Sequence, residues 1–421
     1  MKILWFCNTP CCALEKLSNQ KGTSGNWLNT LSTELSQTNS IELHIAFYWH
    51  QEIPPFKYHN IQYHPIFTNS GKNKINRWVR RLHETLHPIK DDISNLLRIV
   101  NNIQPDIIHI HGTEENFGLI SLHINSIPIV LSIQGFLSSI HIKLFSGIPK
   151  IQVLKSESFF TKINMTGCIS TNRIMGHRCL REKQIINHTK YIIGRTDFDR
   201  YCSLIYNPSR TYLKVNEIMR NEFFKNSWNK DSFSEDFTIT TTISNGLYKG
   251  LETIFLTAKL LKQSNFKFKW EIIGLAHKDK NVTLVEKYTG LKASNINIEF
   301  LGKQEAIEIC KILQKSDLYC QASHIENSSN STCEAMALGM PIIASFAGGT
   351  SSLITHNKTG ILIQDGDPFV LGGAILSISQ SFDLAKNLGN KAREYAINTF
   401  SPQNVLTEIL EVYHKISHNI I

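Results

Sequence analysis

Short β-branched runs alternate with helical patterns from one end of this chain to the other, and few architectures accept such an order. The strand-like runs are Lys2–Phe6, Ile41–Tyr48, Ile107–Ile110, Ile129–Ile133, Thr238–Ile243, Trp270–Ile273, Ile298–Leu301, Leu318–Gln321, Pro341–Ser345 and Gly360–Ile363. Between them, Asn26–Ser36, Lys74–Leu86, Leu251–Leu261, Glu305–Leu313 and Ser331–Leu338 carry helical spacing. A strand, a helix and a second strand in that order predict an α/β chain of parallel sheets with helices on both faces. Ligands of such sheets gather where the carboxyl ends of strands lead into helices.

At 421 residues the chain has room for about two or three domains. The polar stretch "NSWNKDSFSED", Asn226 to Asp236, lacks periodicity and predicts a division into residues 1–228 and 229–400. Near the end Leu406, Ile409, Leu410, Tyr413 and Ile416 fall on one helical face. Residues 401–421 are therefore expected to form a helix that packs back toward the first domain. A hydrophobic share of 42% against 19% charged residues excludes a disordered chain. Apolar runs such as Ile127–Ile133 are far shorter than the roughly 20 residues of a spanning helix. The opening "MKILWFCNTPCC" has no small-residue cleavage site and reads as a first strand, so a cytoplasmic protein is expected.

Charge and cysteine usage narrow the function. Lys and Arg number 44 against 35 Asp and Glu, a net +9 that suits an anionic substrate, an acidic membrane surface or nucleic acid. No nucleic-acid motif accompanies it, so nucleic acid is not expected as a partner. No G-x-G-x-x-G follows the first strand, which disfavours a dinucleotide oxidoreductase. The nine cysteines form no C-x-x-C pair and read as reduced thiols. His109 and His111 share one strand face without a third ligand, and no metal is expected.

The most informative segment is "ENSSNSTCEAMALGMP", Glu326 to Pro341. Its second part reads as a helix stopped by Gly339 and Pro341. Ser331 and Glu334 have capping-box spacing, which would close the first turn. Alternatively Glu326, Asn327 and Glu334 face a ligand, with the amides around Ser331 and Thr332 favouring an anion. Carboxylates at such a place hold sugar hydroxyls through charge-assisted bonds. Upstream, Thr238 to Leu261 reads as strand, loop and helix, with Lys249 at the helix start. A cation there points either to an anion such as a diphosphate nearby or to a solvated surface lysine. Gly348 and Gly349, between a strand and a helix, permit close backbone approach to a phosphate or sugar.

Together these residues resemble the retaining, nucleotide-sugar-dependent glycosyltransferases of family four, which have the GT-B fold. The family's mark is Glu, seven residues, Glu, then Ala-Met, Gly-x-Pro and a Gly-Gly turn. Here it stands as Glu326, Glu334, Ala335–Met336, Gly339, Pro341 and Gly348–Gly349, and Lys249–Gly250 matches the phosphate lysine. "FLG" at Phe300–Gly302 and "KSDLYCQAS" at Lys315–Ser323 fit lesser landmarks. The resemblance implies two Rossmann-like domains facing a central cleft. It also implies transfer of a sugar from a nucleoside-diphosphate sugar to a hydroxyl, with retained configuration and no metal or other cofactor. Lys249 would stabilise the departing diphosphate, Glu326 the donor sugar and Glu334 the ribose. Bacterial members of this kind serve capsule, O-antigen or exopolysaccharide assembly. A sugar-nucleotide epimerase of the same fold and a non-catalytic nucleotide-sugar binder are the alternatives.

On the acceptor side the resemblance points to Gly25 in "KGTSGNWLNTLSTEL", to His111 in "DIIHIHGTEE" and to Gln134 in "SIQGF". Three departures stand out. Gln134 occupies the place of a family histidine, Ser244 that of an arginine before the phosphate lysine, and Thr350–Ser352 that of a later glutamate. Arg173, Arg195 and Arg220 are the candidates to replace the missing arginine. "KNKINRWVRRLHETL" from Lys72 interleaves basic residues with Trp78, Val79 and Leu82, as a helix lying on an acidic membrane would. Acceptors of this family include lipid-linked saccharides, so a place at the inner face of the cytoplasmic membrane is an expectation.

Overall fold

The computed structural model describes residues 1–18, 27–68, 74–87, 93–418 and 420. The chain forms two compact units, Met1–His141 with Glu157–Ile218 and Pro402–Ile421, and Ile142–Ser156 with Met219–Ser401. The change of unit falls at Ile218/Met219, earlier than the polar stretch suggests, because Trp228 is already bound into the second unit. Its indole donates to Ser316 O at 2.7 Å and its amide to Leu338 O at 2.7 Å.

The first unit is built on one eight-stranded sheet in the order β3-β4-β2-β1-β5-β6-β7-β8. Its strands are β1 (Lys2–Cys7), β2 (Glu42–Trp49), β3 (Phe56–Tyr58), β4 (Ile61–Phe67), β5 (Ile107–His111), β6 (Ile129–Ser132), β7 (Tyr191–Gly194) and β8 (Thr211–Lys214). All neighbours run parallel except β3 on β4. Ile3 to Cys7 of β1 are wholly buried, as expected of a central strand covered on both faces. The sequence signal missed β3, β4, β7 and β8. Pro65 lies inside β4, opposite Phe47, where a proline argues against a strand; β7 and β8, of four residues each, are too short to show a period.

The helix Pro402–Ser417 belongs to this first unit and buries Val405, Ile409, Val412, Tyr413 and Ile416 against a core that includes Trp5, Leu31 and Ile45. A polar lock sits inside that apolar contact. Tyr413 Oη accepts from Trp5 Nε1 at 2.9 Å and meets His109 Nδ1 at 2.6 Å, while His109 Nε2 meets Ser132 Oγ at 2.7 Å. Every group is satisfied when Tyr413 donates to Nδ1 and Nε2–H donates to Ser132. Burial pushes the His109 imidazole down to about 3, so it is neutral at ordinary pH.

The second unit holds a six-stranded, wholly parallel sheet in the order β11-β10-β9-β12-β13-β14. Its strands are β9 (Phe237–Thr242), β10 (Phe268–Ile273), β11 (Ile298–Gly302), β12 (Leu318–Gln321), β13 (Ile342–Ser345) and β14 (Ile361–Ile363). In each sheet the chain builds outward in both directions from one seam, β1/β5 in the first and β9/β12 in the second. At such a seam the loops leave toward opposite faces and open a crevice beyond the carboxyl ends.

The lock gives a prediction for stability. Tyr413→Phe keeps the ring but strands the buried Trp5 Nε1 and His109 Nδ1, at a cost of about 2–3 kcal/mol. Urea denaturation followed by tryptophan fluorescence reads that loss.

Candidate active site at the β9/β12 seam

The loops after β9 and β12 are stitched together where backbones touch. After β9 a single 3-10 turn, Leu247–Lys249, precedes the helix Leu251–Gln263, and Gly250 joins them at φ 77°. A Cβ on Gly250 would lie 1.9 Å from Ala322 O, so only glycine fits against the exit of β12. Two residues earlier, Tyr248 O accepts from His324 N at 2.8 Å. Lys249 thus sits on the turn before the helix.

Its partner is Glu326. Lys249 Nζ lies 2.7 Å from Glu326 Oε1, which also accepts from Ser323 Oγ at 2.7 Å. Burial alone would lower the Lys249 pKa, but the Glu326 carboxylate outweighs it and the ammonium is held above its ordinary value. The lysine therefore carries its full charge. The Gly-Gly turn bears on the same glutamate from the other side: Gly349 N donates to Glu326 O at 2.9 Å, and a Cβ on Gly348 (φ +55°) would come within 1.9 Å of that oxygen. The close approach these glycines permit is to Glu326 itself.

The helix carrying the second glutamate starts two residues earlier than the capping-box spacing predicts, at Asn330, and runs to Leu338. Ser329 is its cap, accepting from Thr332 N at 3.4 Å. The hydroxyls of Ser331 and Thr332 meet Ser329 Oγ at 3.1 and 3.0 Å, so both side chains serve the cap. Asn327, beside Glu326, is buried. Glu334 is no capping residue because Arg220 holds it from two directions, Nε on Oε1 at 2.6 Å and Nη2 on Oε2 at 2.8 Å. Burial raises the Glu334 pKa more than Arg220 lowers it. Arg220 also lies over the Phe223 ring at 5.0 Å.

Under the seam lies a group the sequence did not announce. His324 Nε2 meets Glu252 Oε1 at 2.6 Å and its Nδ1 meets Asp365 Oδ2 at 3.3 Å. Burial disfavours the imidazolium, but the two carboxylates prevail and raise its pKa. A Cβ on Gly147 would fall 2.0 Å from Glu252 Oε1, so the strip Ile142–Ser156 closes over this cluster.

The acceptor-side expectations fare differently. Gly25 lies outside the described residues. His111 is buried, with Trp5, His109 and Trp27 rings at 4.5, 4.0 and 5.7 Å, and makes no hydrogen bond among the described residues. It is a packed core residue, its pKa driven well down by burial. Gln134 is half-buried beyond the end of β6, and its carbonyl accepts from Arg195 at 3.5 Å. Of the replacement arginines, Arg195 is engaged by Glu217 at 2.6 Å in the first unit and Arg220 by Glu334.

The Arg220–Glu334 pair predicts a pH-dependent stability. Arg220→Met leaves a buried carboxylate alone and costs about 3 kcal/mol at pH 8. A raised folded pKa adds stability below the unfolded carboxyl value and loses it as pH rises through the folded one. The deficit of the variant should therefore shrink as urea titrations move from pH 8 toward pH 5.

Residues 223–395 match the family model described as glycosyl transferases group 1. The chain is 30% identical over 126 residues to N-acetyl-alpha-D-glucosaminyl L-malate synthase of Bacillus anthracis, covering 29% of this chain and 32% of that protein. It is 24% identical over 169 residues to the putative colanic acid biosynthesis glycosyltransferase WcaL of Escherichia coli K12, covering 38% and 41%. The match thus spans about a third to two fifths of these curated relatives. Anabaena HepE, solved in complex with UDP and glucose, shares the fold with a TM-score of 0.63 over 98% of this chain and 99% of its own, at 16% identity. The chain has the GT-B fold, and its second unit is similar to the glycosyl transferases group 1 family over residues 223–395.

Proposed function

We propose that this protein transfers a sugar from a nucleoside-diphosphate sugar to a hydroxyl of a saccharide or lipid-linked saccharide, with retention at the anomeric carbon. The observation that carries the reading is the Lys249–Glu326 pair at the β9/β12 seam, 2.7 Å apart and fixed by Gly250 on one side and Gly348–Gly349 on the other.

The chemical demand is electrostatic. As the bond between sugar and diphosphate stretches, negative charge grows on the phosphate and positive charge on the sugar ring. A preorganised cation meets the first and a carboxylate the second, without the reorganisation that water would require. Lys249 and the amides at the start of the Asn330–Leu338 helix supply positive charge without a metal in this reading. Glu326 holds the donor hydroxyls, and Glu334 accepts from the ribose with lone pairs that Arg220 leaves open. The likeness to WcaL, a protein named for colanic acid biosynthesis, supports a role in cell-surface polysaccharide assembly, with the donor taken from the cytoplasm.

The test is release of nucleoside diphosphate from a panel of UDP- and GDP-sugars by the full chain, with product configuration read by NMR. Lys249→Ala should lose about 3 kcal/mol of transition-state stabilisation, roughly a hundredfold in turnover. Near-native turnover by a variant of unchanged melting point refutes the role of the lysine.

Membrane contact belongs to the same reading. Among the described residues no single helix is long and apolar enough to cross a membrane. The helix Lys74–Leu86 does, however, expose Ile75 (74%) and Val79, with Arg77, Arg80 and Arg81 beside them. Trp78 Nε1 donates to Ile163 O at 2.7 Å, which brings the exposed Phe159 (73%) and Phe160 (75%) into the same neighbourhood. Apolar tips with a cationic border suit an anionic bilayer surface. Co-sedimentation with phosphatidylglycerol vesicles should exceed that with phosphatidylcholine and fall at least fivefold in a Phe159→Ser/Phe160→Ser variant; equal binding to both lipids counts against the contact.

A further inference from the structure

His324 is caught between two carboxylates on neighbouring loops of the second unit. Its Nε2 lies 2.6 Å from Glu252 Oε1, on the first turn of the helix Leu251–Gln263, and its Nδ1 lies 3.3 Å from Asp365 Oδ2, beyond β14. A carboxylate oxygen accepts and cannot donate, so both contacts close only when both ring nitrogens carry hydrogen, which is the imidazolium. The ring and Glu252 are almost wholly buried, at 4% and 3% exposure. Thr253 Oγ1 donates to the same Glu252 oxygen at 2.9 Å.

The two arms differ. The Glu252 arm is short and sealed: a Cβ on Gly147 (φ +84°) would fall 2.0 Å from Glu252 Oε1 and 2.7 Å from His324 Nε2, so only glycine lets the strip Ile142–Ser156 lie over that bond. The Asp365 arm is long and partly open to solvent, and Lys143 Nζ stands 3.5 Å from the same Oδ2. Among the described residues the ring thus faces Glu252 from the helix after β9, Asp365 from the loop after β14 and, behind Asp365, Lys143 from the strip. Gly366 (φ +72°) packs on the ring edge, where its Cβ would lie 3.1 Å from Cε1. A neutral ring keeps one N–H, which the buried Glu252 retains at least cost. Asp365 then meets a bare nitrogen on one side and an ammonium group on the other.

The same histidine belongs to the framework of the seam. Its amide donates to Tyr248 O at 2.8 Å, next to Lys249, and Glu326 follows two residues after it. The clasp therefore draws together the loops after β9, β12 and β14, two of which carry the Lys249–Glu326 pair.

We propose that the His324 imidazolium is a proton-dependent clasp that positions the Lys249 and Glu326 loops, and that loss of its proton releases Asp365 to Lys143. Its bearing on sugar transfer rests on the transferase reading above; the clasp itself does not. Burial works against the proton, but the Glu252 and Asp365 carboxylates outweigh it and hold the imidazole above its ordinary value. The clasp is accordingly complete on the acid side and opens as pH rises through the folded value.

The full chain tests it in three measurements. Proton–carbon NMR of ring-labelled histidine, with His324→Gln to identify the signal, should show this ring losing its proton at higher pH than the exposed histidines, and Asp365→Asn should lower that midpoint. Hydrogen exchange read by mass spectrometry, corrected for the intrinsic effect of pH, should show protection around Glu252 and Asp365 falling at least fivefold as the ring titrates, with no such step in Asp365→Asn. Asp365 is part-exposed, so its variant serves even where His324→Gln does not fold, and the shift it causes then identifies the signal. UDP and GDP are the ligand probes: whichever binds should do so at least threefold more weakly once the ring is neutral, and this step should vanish in Asp365→Asn. A ring that titrates with the exposed histidines, exchange that follows pH equally in both proteins, or nucleotide binding indifferent to the ring overturns the proposal. If ring and loops respond as expected but neither nucleotide binds, the transferase reading fails and the clasp stands.

Discussion

The second unit depends on a single short contact between opposite charges. Lys249 and Glu326 come from loops whose 77-residue separation places them on different sides of the seam. A flexible pair of this kind on a surface would contribute little. Here both side chains are largely buried, and two glycines, Gly250 and Gly348, leave their backbones no alternative path. What the glycines contribute is exclusion: each holds a place where a methyl group would strike a carbonyl oxygen. The ion pair is thereby preformed, and its charges are in place before any ligand arrives.

Much of this arrangement was legible in the sequence because its parts are local. The strand, turn and helix around Lys249, the Glu326–Glu334 spacing and the Gly-Gly turn are each contained in a run of fewer than about 25 residues, within reach of periodicity and turn rules. What escaped was whatever depends on distant partners. Arg220 reaches Glu334 across 114 residues, and no local pattern marks it. Glu252 and His324 are 72 apart, and His324 looks like an ordinary loop residue. His111 in "DIIHIHGTEE" invites a chemical role because it is a histidine, and only burial shows it to be packing. The capping error has a related origin: Ser329 and Ser331 are both good caps, and spacing to Glu334 favoured the wrong one because the glutamate's real partner was out of view.

The two sheets solve one placement problem twice. Each offers a seam where loops part, and at each a glycine lies close against a glutamate, Gly348 against the backbone oxygen of Glu326 in one and Gly112 against the side chain of Glu114 in the other. The difference lies in the companion, an ammonium group in the second unit and a neutral amide in the first. Cationic company suits a phosphate ester; amide company suits uncharged hydroxyls.

The route of the chain has a consequence for its synthesis. The first unit takes its closing helix from Pro402–Ser417, and the strip Ile142–Ser156 is surrendered to the second. Until the helix Pro402–Ser417 has been synthesised, Trp5 and His109 have no tyrosine to meet, and the nascent first sheet waits with an open flank. Severing the gene product at residue 218 would give a fragment lacking its lid and trailing an orphaned strip, so the halves are not separable parts despite having separate cores.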